Sequence, residues 1–328
     1  MKAAIYTEYG PPEVLHIEDI EKPAPGPGEL LVRVRATTVT TGDVNIRGFT
    51  FVPPGLTFAA KLMYGLKGPR KKVLGFEFAG EVAEVGEGVS SFAVGDRVFG
   101  IDGKGMGAYA EYKRVPEKDA VVPMPDGLSF EDAASIPNGA LTALFFLREK
   151  AKVRKGQRVL VIGASGSVGS AAVQLARHFG ARVTGVCSTA NIELVRSLGA
   201  SDVIDYREVD FTCSGEAWDI IVDTVMGGKS FRECSHSLVD GGIYLAVAGG
   251  LREMVQSLWA PAVSGKKLVT GGGLASEKKE YLEFIRDLVE AGDMKPVVDR
   301  TWPLEEVAEA HRYVDTGRKK GNVVIKVE

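Results

Sequence analysis

The chain changes rhythm along its length. In LLVRVRA, residues 30–36, Val32 and Val34 alternate with Arg33 and Arg35, the period-two pattern of a strand with one buried face. The breaker APGPGE precedes it. FAGEVAEVGEGV (78–89) and GDRVFG (95–100) follow as short strands bounded by glycine, and such close spacing predicts a barrel-like all-β unit. Beyond Pro123 the spacing lengthens. SFEDAASIPNGALTALFFLREKA reads as helix, and Ser129 stands three residues before Asp132 as an N-terminal cap signal. From Arg158 strands and helices alternate: RVLVIG, then the helix SVGSAAVQLARHFG ending at Gly180, then ARVTGV, the helix NIELVRSLG ending at Gly199, DVIDY, WDIIVDTV, GGIYLAVAG and KKLVTGGG. That alternation predicts βαβ units and a mostly parallel, doubly wound sheet. An amphipathic helix, EKKEYLEFIRDLVEAG, precedes PVVDR and NVVIKV, which return to strands and rejoin the first unit. The expected division is 1–125 with 296–328 for the β unit and 126–295 for the α/β unit.

The centre of the α/β pattern is the loop in RVLVIGASGSVGSAAVQLARHFG. An apolar strand runs into Gly163, Gly166 and Gly169, and a helix follows with Val168, Ala172, Leu175 and Phe179 on one face. Gly163 allows a tight exit from the strand, Gly166 lets backbone approach a pyrophosphate, and Gly169 lets the helix pack close to the sheet. The helix N-terminus offers free N–H groups and a favourable dipole, so Ser165, Gly166, Ser167, Val168 and Gly169 form the candidate diphosphate cradle. Position 164 is alanine, so the spacing departs from GxGxxG, and the strand-before, helix-after context carries the reading. A nucleophile elbow would need glycine at Ser167, and a P-loop ending in Gly228, Lys229 and Ser230 would need it at Asp223. The second strand ends in Val186, Cys187, Ser188, Thr189, Ala190 and Asn191, and the first acid after it is Glu193. Ser188, Thr189 and Asn191 can donate to a 2′-phosphate that no carboxylate repels, which favours NADPH over NADH. The same residues also suit a cap for the next helix.

Composition narrows the classes. Glycine accounts for 40 of 328 residues, well above the roughly 7% of average usage, so many backbone positions turn sharply or approach something closely. A net charge of −3 gives no global excess for holding nucleic acid. Three cysteines, Cys187, Cys213 and Cys234, are no disulfide framework and suit a reducing compartment. No apolar run approaches the ~20 residues of a membrane span, and MKAAIYTEYG reads as a strand rather than a secretion signal. A cytoplasmic protein is expected.

AGEVAEVG, GDRVFG, AYAEY, LTALFFL, GASGSVGSAAVQLAR, VCSTANIELVRSLGA, VIDY and GGIYLAVAG, in their order along the chain, resemble the medium-chain dehydrogenase/reductase superfamily. They are most similar to its zinc-independent quinone oxidoreductase branch. The resemblance implies a GroES-like β-barrel domain beside a Rossmann domain. It also places a cysteine and a histidine zinc ligand, in the zinc-bearing branches, at the segments matching 39–43 and 75–77. Here these read VTTGD and GFE, with Phe76 in the histidine position. His16, His178, His236 and His311 show no paired ligand spacing. No zinc is therefore expected. The resemblance brings Thr40 and Asp43 to the nicotinamide, with threonine in place of the branch's asparagine and with Asp43 alternatively a helix cap. It sets Thr142 beside the nicotinamide ribose, Asp223, Thr224 and Val225 at the sheet edge, Val247, Ala248 and Gly249 along the nicotinamide pocket, Tyr206 against the adenosine and Asn322 after a glycine turn. It implies a homodimer through an edge strand near Leu268.

Without a Lewis acid, the substrates that remain feasible delocalise incoming charge themselves, as quinones and α,β-unsaturated carbonyls do. The expected activity is hydride transfer from NADPH to such a small hydrophobic carbonyl or quinone. The alternatives are a non-catalytic NADPH-binding sensor or structural protein, or an alcohol dehydrogenase if metal is found. Residues 49–72, apolar, aromatic and proline-broken, suit a wall or lid. Tyr64 within it is either an oxyanion donor or a packing residue. Lys67, Arg70, Lys71 and Lys72 close the stretch as a solvated face or a basic rim.

Overall fold

The computed structural model describes residues 1–52, 55, 57–250, 253, 255–257, 265–271 and 273–328. Within the expected lid, residues 53, 54 and 56 lie outside the described residues, as does 272 beside the expected edge strand. The chain forms two compact units. The first comprises Met1–Pro137, Glu277–Glu290 and Pro296–Glu328, and the second Asn138–Ser276 and Ala291–Lys295. The helix Lys279–Glu290 thus groups with the first unit.

The first unit opens with the antiparallel pair β1 (Lys2–Ile5) and β2 (His16–Asp19). Its main sheet contains β3 (Glu29–Val39), β4 (Glu77–Val85), β5 (Arg97–Ile101), β6 (Tyr112–Pro116) and β7 (Val121–Pro123). The strands Val298–Pro303 and Asn322–Lys326 join it from the C-terminus, the latter pairing with Ala36–Val39 of β3. The 11-residue β3 organises the sheet: β4 lies along one edge, while β6 and Asn322–Lys326 share the other end to end. Two register shifts in the β3–β4 pairing, at Leu31/Val32 and Val34/Ala36, add the local twist that lets a long strand serve both halves. Val32 and Val34 are buried and Arg33 is exposed, as the alternation predicts. The core gathers Leu30, Val32, Phe78, Val98 and Val323 with Leu304, Val307 and Val314 of the C-terminal segment. That segment is needed to close the apolar interior. Helix α1 (Thr41–Gly48) follows β3, α2 (Thr57–Tyr64) precedes β4, and α3 (Phe130–Ala134) starts at Ser129, whose hydroxyl accepts from Asp132 N at 3.0 Å.

The second unit is a Rossmann-type sheet. Strands β8 (Arg158–Ile162), β9 (Arg182–Cys187), β10 (Asp202–Asp205), β11 (Trp218–Asp223), β12 (Leu238–Ala246) and β13 (Lys267–Thr270) are all parallel, in the order β10-β9-β8-β11-β12-β13. Residues 159–162 are buried to the last residue, the signature of a strand covered on both faces. Helix α4 (Pro137–Leu144) runs into a π-helical stretch, Phe145–Ala151. Helix α5 (Ser167–His178) joins β8 to β9, and α6 (Ile192–Ser197) lies between β9 and β10. Gly180 (φ 77°) and Gly199 (φ 103°) follow these two helices in the left-handed region, where glycine terminates a helix without strain. The single buried stripe expected for α5 is too narrow, because residues 169–176 are all buried. Small side chains fill most of that stretch, and the one long polar residue, Gln174, is satisfied by donating to Lys295 O at 3.1 Å and accepting from Lys295 N at 2.8 Å. Among the described residues no helix is long and apolar enough to cross a membrane.

The cap at Ser129 gives a direct test of local stability. Ser129→Ala should lower unfolding free energy by about 1 kcal/mol, read as a lower urea midpoint at unchanged slope.

Candidate active site

The expected diphosphate cradle begins where β8 stops. Gly163 sits at φ 77°, and the N–H groups of Gly163 and Ala164 both donate to Val186 O, at 3.1 and 3.0 Å. This pins the loop to β9. Gly166 is the N-cap of α5 and offers no side chain to cap it, so the first-turn N–H groups are left for a ligand. A Cβ at Gly169 would run into Gly163 O; glycine is therefore the condition for α5 to lie this close to the strand exit. A Cβ at Gly166 would meet only Gly163 O, at 3.4 Å. The protein alone leaves room there, and the glycine keeps that room open for something bound. Ser167 Oγ is buried without a partner, and Gly139 of α4 leaves the space beside it, since a Cβ there would stand 2.7 Å from that oxygen. An orphaned donor at a helix N-terminus, beside an open glycine, fits the pyrophosphate of a dinucleotide.

The strand ends on one side of this loop carry the residues expected at the adenosine end. Ser188 and Asn191 make no side-chain cap bonds, so the capping alternative does not describe them. Asn191 Nδ2 instead donates to Ser165 Oγ at 3.0 Å and more weakly to Ser188 Oγ at 3.4 Å. The expectation that no carboxylate lies here is corrected. Asp205 at the end of β10 pairs with Cys187 at the end of β9, which brings its carboxylate beside Thr189. The Thr189 hydroxyl and the Arg207 N–H hold that carboxyl below its usual range. Tyr206 is 58% exposed, its ring free to lie against a ligand, and Arg207 is exposed next to it. The sequence reading missed both Asp205 and Arg207. The signal was the DYR that ends VIDYR, meaningful only once β10 is known to register with β9.

On the other side, Asp223 is a brace and not a free carboxylate. Its Oδ1 accepts from Val225 N at 3.0 Å and its Oδ2 from the Tyr244 hydroxyl at 2.6 Å, while burial raises its pKa. Thr224 donates to Ile162 O at 2.8 Å. A Cβ at Gly163 would meet Thr224 Oγ1 and Val225 Cγ2, both at 2.7 Å, so the exit of β11 closes directly onto the glycine loop. Val247 N bonds to Asp223 O at 2.9 Å, and Val247, Ala248 and Gly249 follow β12 half-buried. Thr142 is half-buried in α4. Thr270, the last residue of β13, was not foreseen. Its Oγ1 is buried without a partner and would stand 2.6 Å from a Cβ at Gly249. The residues that end β11, β12 and β13 lie at the carboxyl edge of the sheet, where β8 separates the two directions of winding and ligands bind in such folds.

In the first unit Thr40 and Asp43 do come together, but as a capping box. Thr40 Oγ1 accepts from Asp43 N at 3.1 Å, and Asp43 Oδ2 accepts from Thr40 N at 2.9 Å and Thr40 Oγ1 at 2.6 Å. Asp43 Oδ1 accepts from Gly75 N at 3.0 Å. With both oxygens engaged and 0% exposure, Asp43 is a positioning residue, and the Thr40 hydroxyl proton is committed to it. Burial pushes the Asp43 carboxyl up to about 6 against the opposing pull of these hydrogen bonds. Behind it runs a buried polar chain. Arg47 Nη1 meets His311 Nδ1 at 3.1 Å, and His311 Nε2 meets the Tyr109 hydroxyl at 3.1 Å. A guanidinium only donates, so Nδ1 is the acceptor and the His311 proton is assigned to Nε2. Burial and the Arg47 charge hold His311 down to about 3. Tyr64 packs edge-on against Phe51 at 5.0 Å and Phe49 at 6.3 Å, and among the described contacts none joins it to Thr40. Asn322 is buried, and its Nδ2 donates to Val297 O at 3.2 Å. Zinc does not fit these residues. The Phe76 ring lies against Gly42, 3.1 Å from where a Cβ would stand, and Asp43 is fully committed. Among the described residues no three His, Cys, Asp or Glu side chains group as a metal would need.

Known proteins match along the whole chain. The family described as "Alcohol dehydrogenase GroES-like domain" matches residues 26–126, and that described as "Zinc-binding dehydrogenase" matches 198–325. The chain is 33% identical to the 2-methylene-furan-3-one reductase of Solanum lycopersicum, over 99% of this chain and 79% of that protein. It is 32% identical to a quinone oxidoreductase of Pseudomonas aeruginosa, over 98% of each. The solved structure of the quinone oxidoreductase from Coxiella burnetii superposes with a TM-score of 0.87 at 30% identity, covering 100% of this chain and 99% of that one.

Two outcomes check this geometry. Gly166→Ala should keep the unfolding midpoint, within about 0.5 kcal/mol, yet weaken dinucleotide binding more than tenfold by calorimetry. Gly169→Ala should lose about 1–3 kcal/mol of stability as well, because its Cβ meets backbone. For His311, a folded pKa near 3 lies below the ordinary 6.5, so its contribution is present above pH 6.5 and is lost as pH falls toward 3. By pH 5 the loss is about 2 kcal/mol. His311→Gln keeps an acceptor for Arg47 and a donor for Tyr109 but does not titrate. The stability difference between wild type and this variant should therefore shrink by about that amount between pH 7 and pH 5, followed as the urea midpoint.

Proposed function

Because the chain belongs to the medium-chain dehydrogenase/reductase superfamily, in its quinone oxidoreductase-like branch, we propose that this oxidoreductase works without zinc, takes NADPH as reductant and acts on a quinone or α,β-unsaturated carbonyl. The observation that carries the reading is the cradle at α5: an uncapped helix N-terminus, an open Gly166 and the orphaned Ser167 hydroxyl. A reduced nicotinamide held there supplies the hydride. The chain's own residues hold and orient. Ser167 and the first-turn N–H groups of α5 take the diphosphate. Ser188, Asn191 and Arg207 take the adenosine phosphate, with the Tyr206 ring against the adenine. Val225, Val247, Ala248 and Gly249 give the nicotinamide an apolar wall, and Thr142 and Thr270 stand as donors beside it.

The substrate class follows from what the first unit withholds. Asp43 and Thr40 are locked together and His311 is neutral and enclosed, so none of these three offers a charged acid or base to a substrate. A plain ketone needs its developing alkoxide stabilised, whereas a quinone or enone spreads the incoming charge over its own π-system. The tomato and Pseudomonas relatives are named for such substrates, which supports the reading. Three free cysteines suit a cytoplasmic setting, and β13, as the last strand of its sheet, is an edge through which two copies can pair.

Single-turnover mixing of NADPH with a panel of quinones and enones tests this. The reduced-nicotinamide absorbance should decay faster than in buffer, and chelator treatment should leave the rate unchanged. Arg207→Ala should lower kcat/KM for NADPH about tenfold, as expected for loss of one charge-assisted phosphate contact, with NADH little changed. No accelerated decay across the panel, with the nucleotide still bound, would leave a binding protein in place of an enzyme.

A further inference from the structure

Helix α2 is turned inside out for a protein in water. None of its eight residues, TFAAKLMY, is buried. At 100° per residue, Phe58, Ala59, Leu62 and Met63 fall within one arc of about 140°, and Leu66 lies just beyond the helix. Phe58 is 75% exposed, Met63 67%, Leu62 55% and Leu66 55%. The other face carries Ala60, Lys61 and Tyr64, all half-buried. Tyr64 packs on Phe51 and Phe49, and the Lys61 ammonium lies 5.9 Å from the Phe49 ring centre. The cation thus faces the protein and the apolar side chains face out.

The surrounding chain is as one-sided in charge as the helix is in polarity. From residue 44 to residue 76 there is no Asp or Glu, while Arg47, Lys61, Lys67, Arg70, Lys71 and Lys72 are all basic, in a protein of net charge −3. Arg47 is buried, but Lys67, Arg70, Lys71 and Lys72 are exposed. The hydrogen bonds of Arg70 and Lys71 go to carbonyl oxygens, of Leu62 and of Lys104 and Gly105, and among the described residues neither forms an ion pair with a carboxylate. Exposed apolar area on this scale, bordered by exposed cations, matches a surface that is greasy inside and anionic at its rim.

We propose that this face docks on an anionic lipid surface, with α2 lying in the headgroup layer. Phe58, Leu62, Met63 and Leu66 would enter the acyl boundary, and Lys67, Arg70, Lys71 and Lys72 would meet lipid phosphates. A helix of eight residues is about 12 Å long, enough to lie in the interface and far short of a span. The charge pattern favours lipid over a second copy, because two-fold pairing of this patch sets its own cations against each other. An anionic leaflet neutralises them, each cation near its surface contributing roughly fivefold in partitioning.

Flotation of the full chain with vesicles of phosphatidylcholine alone, or with one-third phosphatidylglycerol, tests the proposal. The protein should float with the anionic vesicles at low salt, stay behind with the neutral ones and be released by high salt. Leu62→Ser/Met63→Ser, and separately Lys67→Glu/Lys72→Glu, should each reduce binding at least tenfold without moving the melting temperature. The positions are exposed, so folding is not at stake, and the two variants probe the apolar and charged parts independently. Failure of wild type to float with anionic vesicles overturns the proposal, as does equal flotation of both variants. Sedimentation velocity covers the remaining case. If wild type self-associates, the Leu62→Ser/Met63→Ser variant does not and neither binds vesicles, the face is a contact between copies and the lipid assignment is wrong.

Discussion

The packing of α5 against the exit of β8 is the constraint from which the dinucleotide cradle follows. Gly169 has no Cβ, so the helix can approach Gly163 O closely, and that approach points its uncapped first turn at the loop. A side chain at 169 would push the helix outward and take the N–H groups with it. The same strand exit is gripped from two sides. Gly163 and Ala164 donate to Val186 O of β9, and Thr224, beyond β11, donates to Ile162 O. β8 sits between β9 and β11 because the chain winds outward in both directions from it. The crevice at that point belongs to the topology, and the glycines determine how near a ligand can come to it.

The first unit uses polar groups in the opposite way. Asp43, Tyr109, His311 and Arg47 are buried in contact with one another, and each is satisfied by a neighbour rather than offered outward. Arg47 is paired with Asp315 at 2.8 Å, while burial and the neighbouring Arg47 charge keep His311 neutral, so it serves as a relay of hydrogen bonds. Such a network specifies a geometry, because any missing member leaves a buried group unpaired. Its effect at Thr40 is to fix the start of α1.

Much of this was legible in the chain. The alternation in residues 30–36, the cap at Ser129 and the three glycines after β8 are local signals, and local physics decides them. Asp43 was readable in part, since T-x-x-D is itself a capping pattern, but a choice between cap and reactive acid needed Gly75 N on its other oxygen. What stayed hidden depends on residues far apart in sequence. Arg47 and His311 are separated by 264 positions. Asp205 reaches the end of β9 only through strand register. Asn322 followed a recognisable glycine turn, yet its Nδ2 turns to Val297 O, 25 positions earlier. For α2, the apolar content was plain, but which face turned outward was decided by Tyr64 packing edge-on against Phe51 and Phe49.

The choice between nicotinamide cofactors comes down to two opposite charges at the end of β10. Asp205 would accept the ribose hydroxyl of NADH and repel the phosphate of NADPH, while Arg207 would do the reverse. At this half-buried strand end, a unit charge about 4 Å away contributes about 1–4 kcal/mol of repulsion per phosphate charge, depending on screening. The Asp205 carboxylate is also partly occupied, its Oδ1 accepting from Arg207 N at 3.0 Å. A guanidinium meeting a phosphate makes charge-assisted hydrogen bonds worth about 1.5–3 kcal/mol each, and can make two. The Arg207 side chain is exposed and can swing to form them, whereas Asp205 is held by its own turn. Both charges stand at this position, and the presence of a carboxylate there does not by itself select NADH.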